Sequence, residues 1–328
     1  MKASVTTITR INTTAILGAL IADAASLGLH WLYCPVRIAE IEAVKGLTFL
    51  SPNLDDYSGT PSFFAHKKKV AGDSSGYGEV CLLMLKHLAK HGAFKRMAYQ
   101  MEFCQHFGEG GAYVGYIDHP TRYLLLTLNS LEPAKYPAVS GSNDDQLPAL
   151  SALPALVATH RGTREALLCL VEEVVRVTNN NALAISAAQC AAAALFAVLN
   201  GVPLEKALSN ALLFAGETLQ PLLEDALAEP LLDSVAAGKR FGMNCRVVQG
   251  LPIIFHIAKT APDYRTAIEA NIRAGGDSCG RSIMLGALVA AHQLQQSKDE
   301  PVFPPTWLAQ FNLRALTEET FASFGAAL

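Results

Sequence analysis

An all-α fold is what this sequence of 328 residues predicts, and three observations lead there. Apolar residues recur at three- and four-residue spacing through most of the chain, the mark of helices with a buried face. No β-branched series of period two appears. The strand–helix alternation of a doubly wound sheet is absent too, together with any glycine-rich dinucleotide fingerprint. Charged residues make up only 17% of the chain and hydrophobic ones 51%, against a usual charged share of about 25%. Helices buried on more than one side are therefore expected.

In chain order, the first helix is expected over Thr13–Leu27, an alanine-rich run with Asp23 inside it. From Leu47 to Gly78, Pro52, Gly59, Pro61, Gly72 and Gly76 interrupt helical continuity. Helices follow over Gly78–His91, Lys95–Phe107 and Pro120–Leu128, the last opening on a proline whose missing N–H costs nothing at a helix start. A second long connection spans Glu132 to Gln146 and ends in Gly141-Ser142-Asn143-Asp144-Asp145-Gln146. Leu147–Ala158 comes next, then Arg164–Val177 behind the helix-start sequence Thr163-Arg164-Glu165-Ala166. Ala182–Val198, Leu204–Ala215 (entered through Pro203), Leu227–Ala237, Gln249–Ala261, Tyr264–Ala274, Ser282–Gln293 and Pro305–Phe321 complete the set. Structureless connections as long as the two named are uncommon in helical domains and often hold the ligand. No linker cleanly divides the chain, so residues 1–328 are read as a single domain.

Net charge is −3, and the longest basic cluster, Lys67-Lys68-Lys69, reads as a solvated loop. Nucleic acid is excluded as a partner on that ground, and a small-molecule ligand is expected. Seven cysteines, an odd number with no Cys-x-x-Cys pair, point to a reducing, cytoplasmic compartment. Thr6, Thr7, Thr9, Arg10, Asn12 and Thr13 interrupt any apolar leader. The most membrane-like stretch, Ala182–Leu199, carries Ser186 and Gln189 and reads as a central helix, so no membrane partner is expected. A monomer or small homo-oligomer fits this composition.

Polar clusters interrupt apolar helix ends at five places. In Ala22-Asp23-Ala24-Ala25-Ser26, followed by His30-Trp31, a buried aspartate is costly without partners. It reads equally as an acid behind a ligand or as an acceptor of local hydrogen bonds. His30 reads as a core histidine or as a catalyst. In Asp73-Ser74-Ser75-Gly76-Tyr77-Gly78-Glu79, Glu79 benefits from the positive helix end whether or not it touches a ligand. Asp144 and Asp145 either cap a helix or face a ligand. Thr178-Asn179-Asn180-Asn181 is an amide-rich capping loop. The strongest element is Gly275-Gly276-Asp277-Ser278-Cys279-Gly280, entering a small-residue helix whose N–H groups favour an anion or a thiolate. Cys279 is either a reactive thiol or a buried one in a ligand's place.

These residues resemble the ADP-ribosylglycohydrolase superfamily over most of the chain. Gly18 through Ala24 is similar to its N-terminal glycine-aspartate-alanine helix, and Gly275–Gly280 to its Gly-Gly-Asp-Thr-Asp-Thr motif. Val114-Gly115-Tyr116 and Pro120-Thr121-Arg122 resemble another family segment, and Thr178-Asn179 falls where threonine-histidine is common. The resemblance implies a compact orthogonal multi-helical domain with a binuclear magnesium centre that cleaves at a ribose anomeric carbon. The family's N-terminal ligand segment falls on Gly76, Tyr77, Gly78 and Glu79, so two carboxylates have become tyrosine and glycine. Asp277 matches the C-terminal motif, but the second aspartate is Cys279 and the threonine is Gly280. His30 stands where many members carry an acid. No metal ligand set is therefore expected, and the cofactor is left unknown. The departures are similar to those of the J1-crystallin and selenoprotein-J-like branch.

Three functions follow from this reading, and it leaves open whether the chain is an enzyme at all. The first is a divergent hydrolase of a glycosidic or nucleotide-sugar-type bond. Its acid–base groups would come from Glu79, Asp277, Asp144, Asp145 and His30, with Asp23, Tyr77 and Asn179 against the substrate. The second is a metal-free enzyme on another small substrate, with Cys279 as nucleophile beside His30 or Asp277. The third is a non-catalytic pseudoenzyme, a small-molecule-binding or crystallin-like structural protein.

Overall fold

The computed structural model describes residues 8–228, 232–297 and 299–324, and these contain α-helices and isolated bridges but no β-strand. The helices are α1 (Arg10–Ser26), α2 (Pro35–Lys45), α3 (Leu54–Tyr57), α4 (Gly76–His91), α5 (Arg96–Phe107), α6 (His119–Asn129), α7 (Leu153–Thr159), α8 (Arg164–Thr178) and α9 (Ala182–Leu199). After these come α10 (Leu204–Ala211), α11 (Gly216–Ala228), α12 (Ser234–Phe241), α13 (Val247–Thr260), α14 (Tyr264–Arg273), α15 (Ser278–Gln296), α16 (Pro305–Gln310) and α17 (Arg314–Ala322). The all-α expectation is met, and the two long connections are largely non-helical.

Differences from the expected elements have local reasons. The sequence reading omits α2 because it is a surface helix with only Ile38 and Ile41 buried, too narrow a stripe to show as periodicity. Pro221 inside α11 masks that helix. The expected Leu227–Ala237 crosses residues 229–231, which lie outside the described residues; the parts on either side belong to α11 and α12. Pro305–Phe321 is divided between α16 and α17. The start of α15 lies at Ser278, earlier than the expected Ser282, because Asp277 itself caps it by accepting from the Gly280 N–H at 2.9 Å.

The middle of the fold is the crossing of α1 and α15. A Cβ on Gly18 would lie 2.4 Å from Ala290 Cβ, and one on Gly286 2.3 Å from the Gly18 carbonyl oxygen. Only glycine allows these backbones to touch, and the Tyr264 hydroxyl seals the contact by donating to Gly18 O at 2.7 Å. Arg10–Leu29 and Ala182–Leu199 are apolar and long enough to cross a membrane by composition, and 94% and 61% of these windows are buried within the fold. Their apolarity is thus largely used in packing against the contiguous core.

This crossing brings the end of α1 beside the starts of α4 and α15. The chain after α1 is pinned there by backbone bonds: Trp31 N–H donates to Gly276 O and Gly276 N–H to Leu32 O, both at 2.8 Å, while Phe63 N–H reaches Trp31 O at 2.9 Å. Gly276 has φ +66°, and a Cβ there would lie 2.0 Å from Met243 O. The glycine is thus required both by conformation and by space.

Candidate functional site

Asp277 is fully buried at the N-terminus of α15, and both of its carboxylate oxygens are engaged. Oδ1 faces His30 Nε2 at 2.9 Å and also accepts the Gly280 N–H; Oδ2 accepts the Tyr77 hydroxyl at 2.7 Å. Burial alone would raise the carboxyl. His30 foremost, then Tyr77 and the Gly280 N–H, outweigh it and hold the group below the ordinary carboxylate range. Behind His30 lies His66, whose Nε2 is 2.6 Å from His30 Nδ1, and both rings are buried. Trp31 stacks on His30 at 4.1 Å between centroids and meets Tyr116 edge-on.

Asp23 forms the neighbouring acid. It accepts from the Ser75 N–H at 2.8 Å and from the Ser75 hydroxyl, which in turn accepts the Tyr77 N–H as the cap of α4. Burial raises its carboxyl to about 6, with Ser75 opposing the rise. Cys279 is closed off on the other side of Asp23, its thiol directed at Asp23 O at 3.7 Å. Burial, then the charges of Asp23 and Asp277, push this thiol well above its ordinary range.

A wider acidic rim surrounds Asp277. Burial and then the Asp277 charge raise Tyr33, Tyr77 and Cys245, the last to about 12. Asp118, the cap of α6, is raised chiefly by burial, with Asp144 and Asp277 adding to it. Arg281 lies beneath the loop, wholly buried. Its Nε donates to Asn271 Oδ1 at 2.7 Å and its Nη2 to Gly275 O at 2.6 Å, so the guanidinium fixes the glycine turn before Asp277.

The structure brings Asp23, His30, Tyr77, Asp277 and Cys279 into this one neighbourhood. Glu79 turns to His106 on α5 at 2.9 Å and shares no hydrogen bond with Asp277. Asp144 accepts from His119 at 2.7 Å and from the Gln146 N–H at 2.9 Å, while Asn179 Nδ2 donates to the Asp144 carbonyl at 3.0 Å. Asp145 pairs with the exposed Arg246 at 2.7 Å. His66, Tyr33, Asp118, Cys245 and Arg281 are absent from the sequence-derived set. Of these, only Asp118, ahead of His119-Pro120, carried a local signal, that of a helix cap.

The sequence profile of the family described as ADP-ribosylglycohydrolase matches residues 7–326. The chain belongs to the ADP-ribosylglycohydrolase family. It is 27% identical over 313 residues to crystallin J1A of Tripedalia cystophora and 26% identical over 318 residues to crystallin J1B of the same organism, covering 90% of each chain in both cases. A solved structure titled as an ADP-ribosylglycohydrolase-related protein complex superposes with a TM-score of 0.70 at 18% identity, over 96% of each chain. At that identity the likeness is one of fold.

Among ADP-ribosylglycohydrolases, this chain lacks the donors for the binuclear magnesium centre its resemblance implied. Magnesium wants about six oxygen ligands in octahedral array. Here both Asp277 oxygens are bound by a tyrosine and a histidine. A Cβ at Gly78 would lie 2.3 Å from Asp23 Oδ2, and one at Gly280 2.7 Å from Asp277 Oδ1, so a side chain at either position would have to displace the carboxylate as it now stands. Elsewhere, His87, His91 and Glu102 offer metal-type donor atoms within 4.8 Å of one another. That set is partial: Glu102 already accepts from His87 at 2.7 Å, Lys90 at 2.8 Å and His91 at 2.9 Å. His87 Nε2 accepts the Lys95 N–H, which leaves its hydrogen on the Nδ1 that faces Glu102.

Proposed function

We propose that this protein is a divergent ADP-ribosylglycohydrolase-like hydrolase that acts on a glycosidic or nucleotide-sugar-type bond without a two-magnesium centre. The observation that carries the reading is Asp277. A carboxylate that is fully buried yet held ionised by His30, Tyr77 and the Gly280 N–H is a preformed anion of the kind that marks functional sites. In family terms it is the aspartate retained from the C-terminal motif. A carboxylate there can orient water or stabilise positive charge developing at an anomeric carbon, while a neighbouring acid such as Asp23, raised to about 6, holds a proton for the leaving group. Cys279 has no place in this chemistry, because a thiol pushed upward by burial and two acids is a poor nucleophile.

The test is turnover of a panel of ADP-ribosylated and simpler N- and O-glycosidic substrates, with magnesium and with a chelator. Turnover that is equal in both conditions is expected. Turnover that requires magnesium would overturn the metal-free mechanism, and none on any substrate would overturn the hydrolase. The second outcome would favour a non-catalytic role, which the crystallin names of the two relatives support.

A further inference from the structure

Among the described residues, two buried side-chain nitrogens of the site have no hydrogen-bond partner: Arg281 Nη1, which can only donate, and His66 Nδ1, which can donate or accept. His66 is 3% exposed, and its Nδ1 has no hydrogen-bond partner among the described residues. The direction of the neighbouring bonds decides what kind of atom it is. An ionised Asp277 only accepts, so the Tyr77 hydroxyl and His30 Nε2 both carry the hydrogen toward it. A neutral His30 then has a bare Nδ1, which must accept a hydrogen from His66 Nε2 across 2.6 Å. A neutral His66 whose hydrogen sits at Nε2 presents a lone pair at Nδ1. Burial foremost, with Lys69 adding to it, holds His66 well below the ordinary histidine range, so near neutral pH it carries a single hydrogen.

We infer that His66 is the proton-accepting residue of this site, its Nδ1 taking the proton of a water or of a hydroxyl-bearing small molecule. This rests on the hydrolase reading above. When the proton moves, the ligand O–H bond breaks, an N–H bond forms at His66 Nδ1, and the ligand oxygen keeps the electron pair. The hydrogen on His66 Nε2 crosses to His30 Nδ1. His30 becomes the imidazolium, 2.9 Å from the Asp277 carboxylate. The positive charge thus comes to rest beside a fixed anion instead of on the ring nearest Lys69. Asp277, Asp23, Tyr77, Tyr57 and Lys69 are among the titratable groups around the pair. Ala65 and Lys67, on either side of His66, line an open cavity of about 410 Å³ together with Lys68, Tyr116 and Arg122, while the buried His66 ring lies behind that lining and is not part of it. That volume suits a small molecule.

The test begins with the intact, ligand-free protein labelled with ¹⁵N-histidine and observed by NMR near neutral pH. The expected pattern is a bare Nδ1 and a protonated Nε2 on His66, with scalar coupling from that N–H to His30 Nδ1. A protonated Nδ1 on His66 would overturn the assignment. This readout needs no turnover, so it is decided independently of the hydrolase proposal. In a second arm, His66→Gln keeps an amide N–H for His30, and an unchanged melting temperature establishes that it folds. On any substrate the wild type turns over, this variant is expected to lose about 100-fold or more in kcat with KM little changed. Wild-type kcat in the folded variant would overturn the role. If the wild type turns over nothing, the hydrolase reading fails, and the NMR pattern alone decides the acceptor.

Discussion

His30, His66 and Asp277, where α1 ends and α15 begins, have the same makeup as His87, His91 and Glu102 on α4 and α5: two imidazoles and a carboxylate. In the first group the parts are arranged in series. Each ring passes one hydrogen to the next, the carboxylate is sealed from water, and the chain ends on a bare nitrogen. The second group is arranged in parallel. Both imidazoles and the ammonium of Lys90, itself 66% exposed, converge on one carboxylate, which they draw down to about 2 against the opposing effect of burial. Parallel donors saturate an acid and leave it nothing further to do. A series arrangement leaves its far end reactive, so the same residue types make a stabilising clamp in one place and a candidate relay in the other.

The largest expected difference between them is energetic. Asp277→Ala leaves the Tyr77 hydroxyl, His30 Nε2 and the Gly280 N–H without an acceptor in a closed interior, and should cost about 3 kcal/mol or more in urea unfolding. Glu102→Ala, among partly solvated partners, should cost about 1 kcal/mol or less. Equal losses would erase the distinction drawn between series and parallel.

A smaller effect concerns the acid beside the relay. The Asp23 carboxyl is raised from 3.8 to about 6 in the fold, chiefly by burial. An acid raised on folding destabilises the folded state at pH above its folded value, and that cost is relieved as pH falls through about 6 toward the unfolded value. Asp23→Asn should therefore be more stable than wild type by about 1–2 kcal/mol near pH 8, the advantage vanishing near pH 4. A pH-independent difference would mean that Asp23 is as well solvated as a surface acid.

The smallest effect has the opposite sign. Glu102 is lowered from 4.5 to about 2, so its contribution is complete above the unfolded value and is lost as pH falls toward 2. Wild type should lose up to about 1 kcal/mol relative to Glu102→Gln between about pH 5 and pH 2, less in high salt. A salt-insensitive profile would place the second cluster in the same buried class as the first.

Asp23, His30, Tyr77 and Asp277 were legible in the sequence because each lies in a run whose polarity breaks an apolar helix end. Glu79 satisfied the same criterion, yet its side chain leaves the start of α4 toward His106. Sequence polarity marks a helix terminus without saying which way each side chain turns. His66 lay in a loop otherwise read as solvated lysines, and Arg281 at the edge of an apolar run. Neither had a local signal, since His66 finds His30 across 36 positions and Arg281 is explained only by the carbonyls it meets in the folded turn. The departure from the family's metal motif was visible as residue identities at Tyr77, Gly78, Cys279 and Gly280. The closeness of Gly78 and Gly280 to the Asp23 and Asp277 carboxylates was not.

By itself, the sequence determined the helical class, through apolar spacing and low charge, and the family, through the glycine turn before Asp277 and the glycine-aspartate helix at the other end of the chain. These are properties of local periodicity and residue identity, carried by neighbours in the chain. The tertiary structure alone decided that the aspartate kept from the metal motif is bound by a tyrosine and a histidine, with Tyr77 and His30 respectively 200 and 247 positions from Asp277. Hydrogen-bond direction depends on which donors meet which lone pairs. Those meetings arise only when α1 and α15 pack backbone against backbone and bring distant helix ends to one buried point.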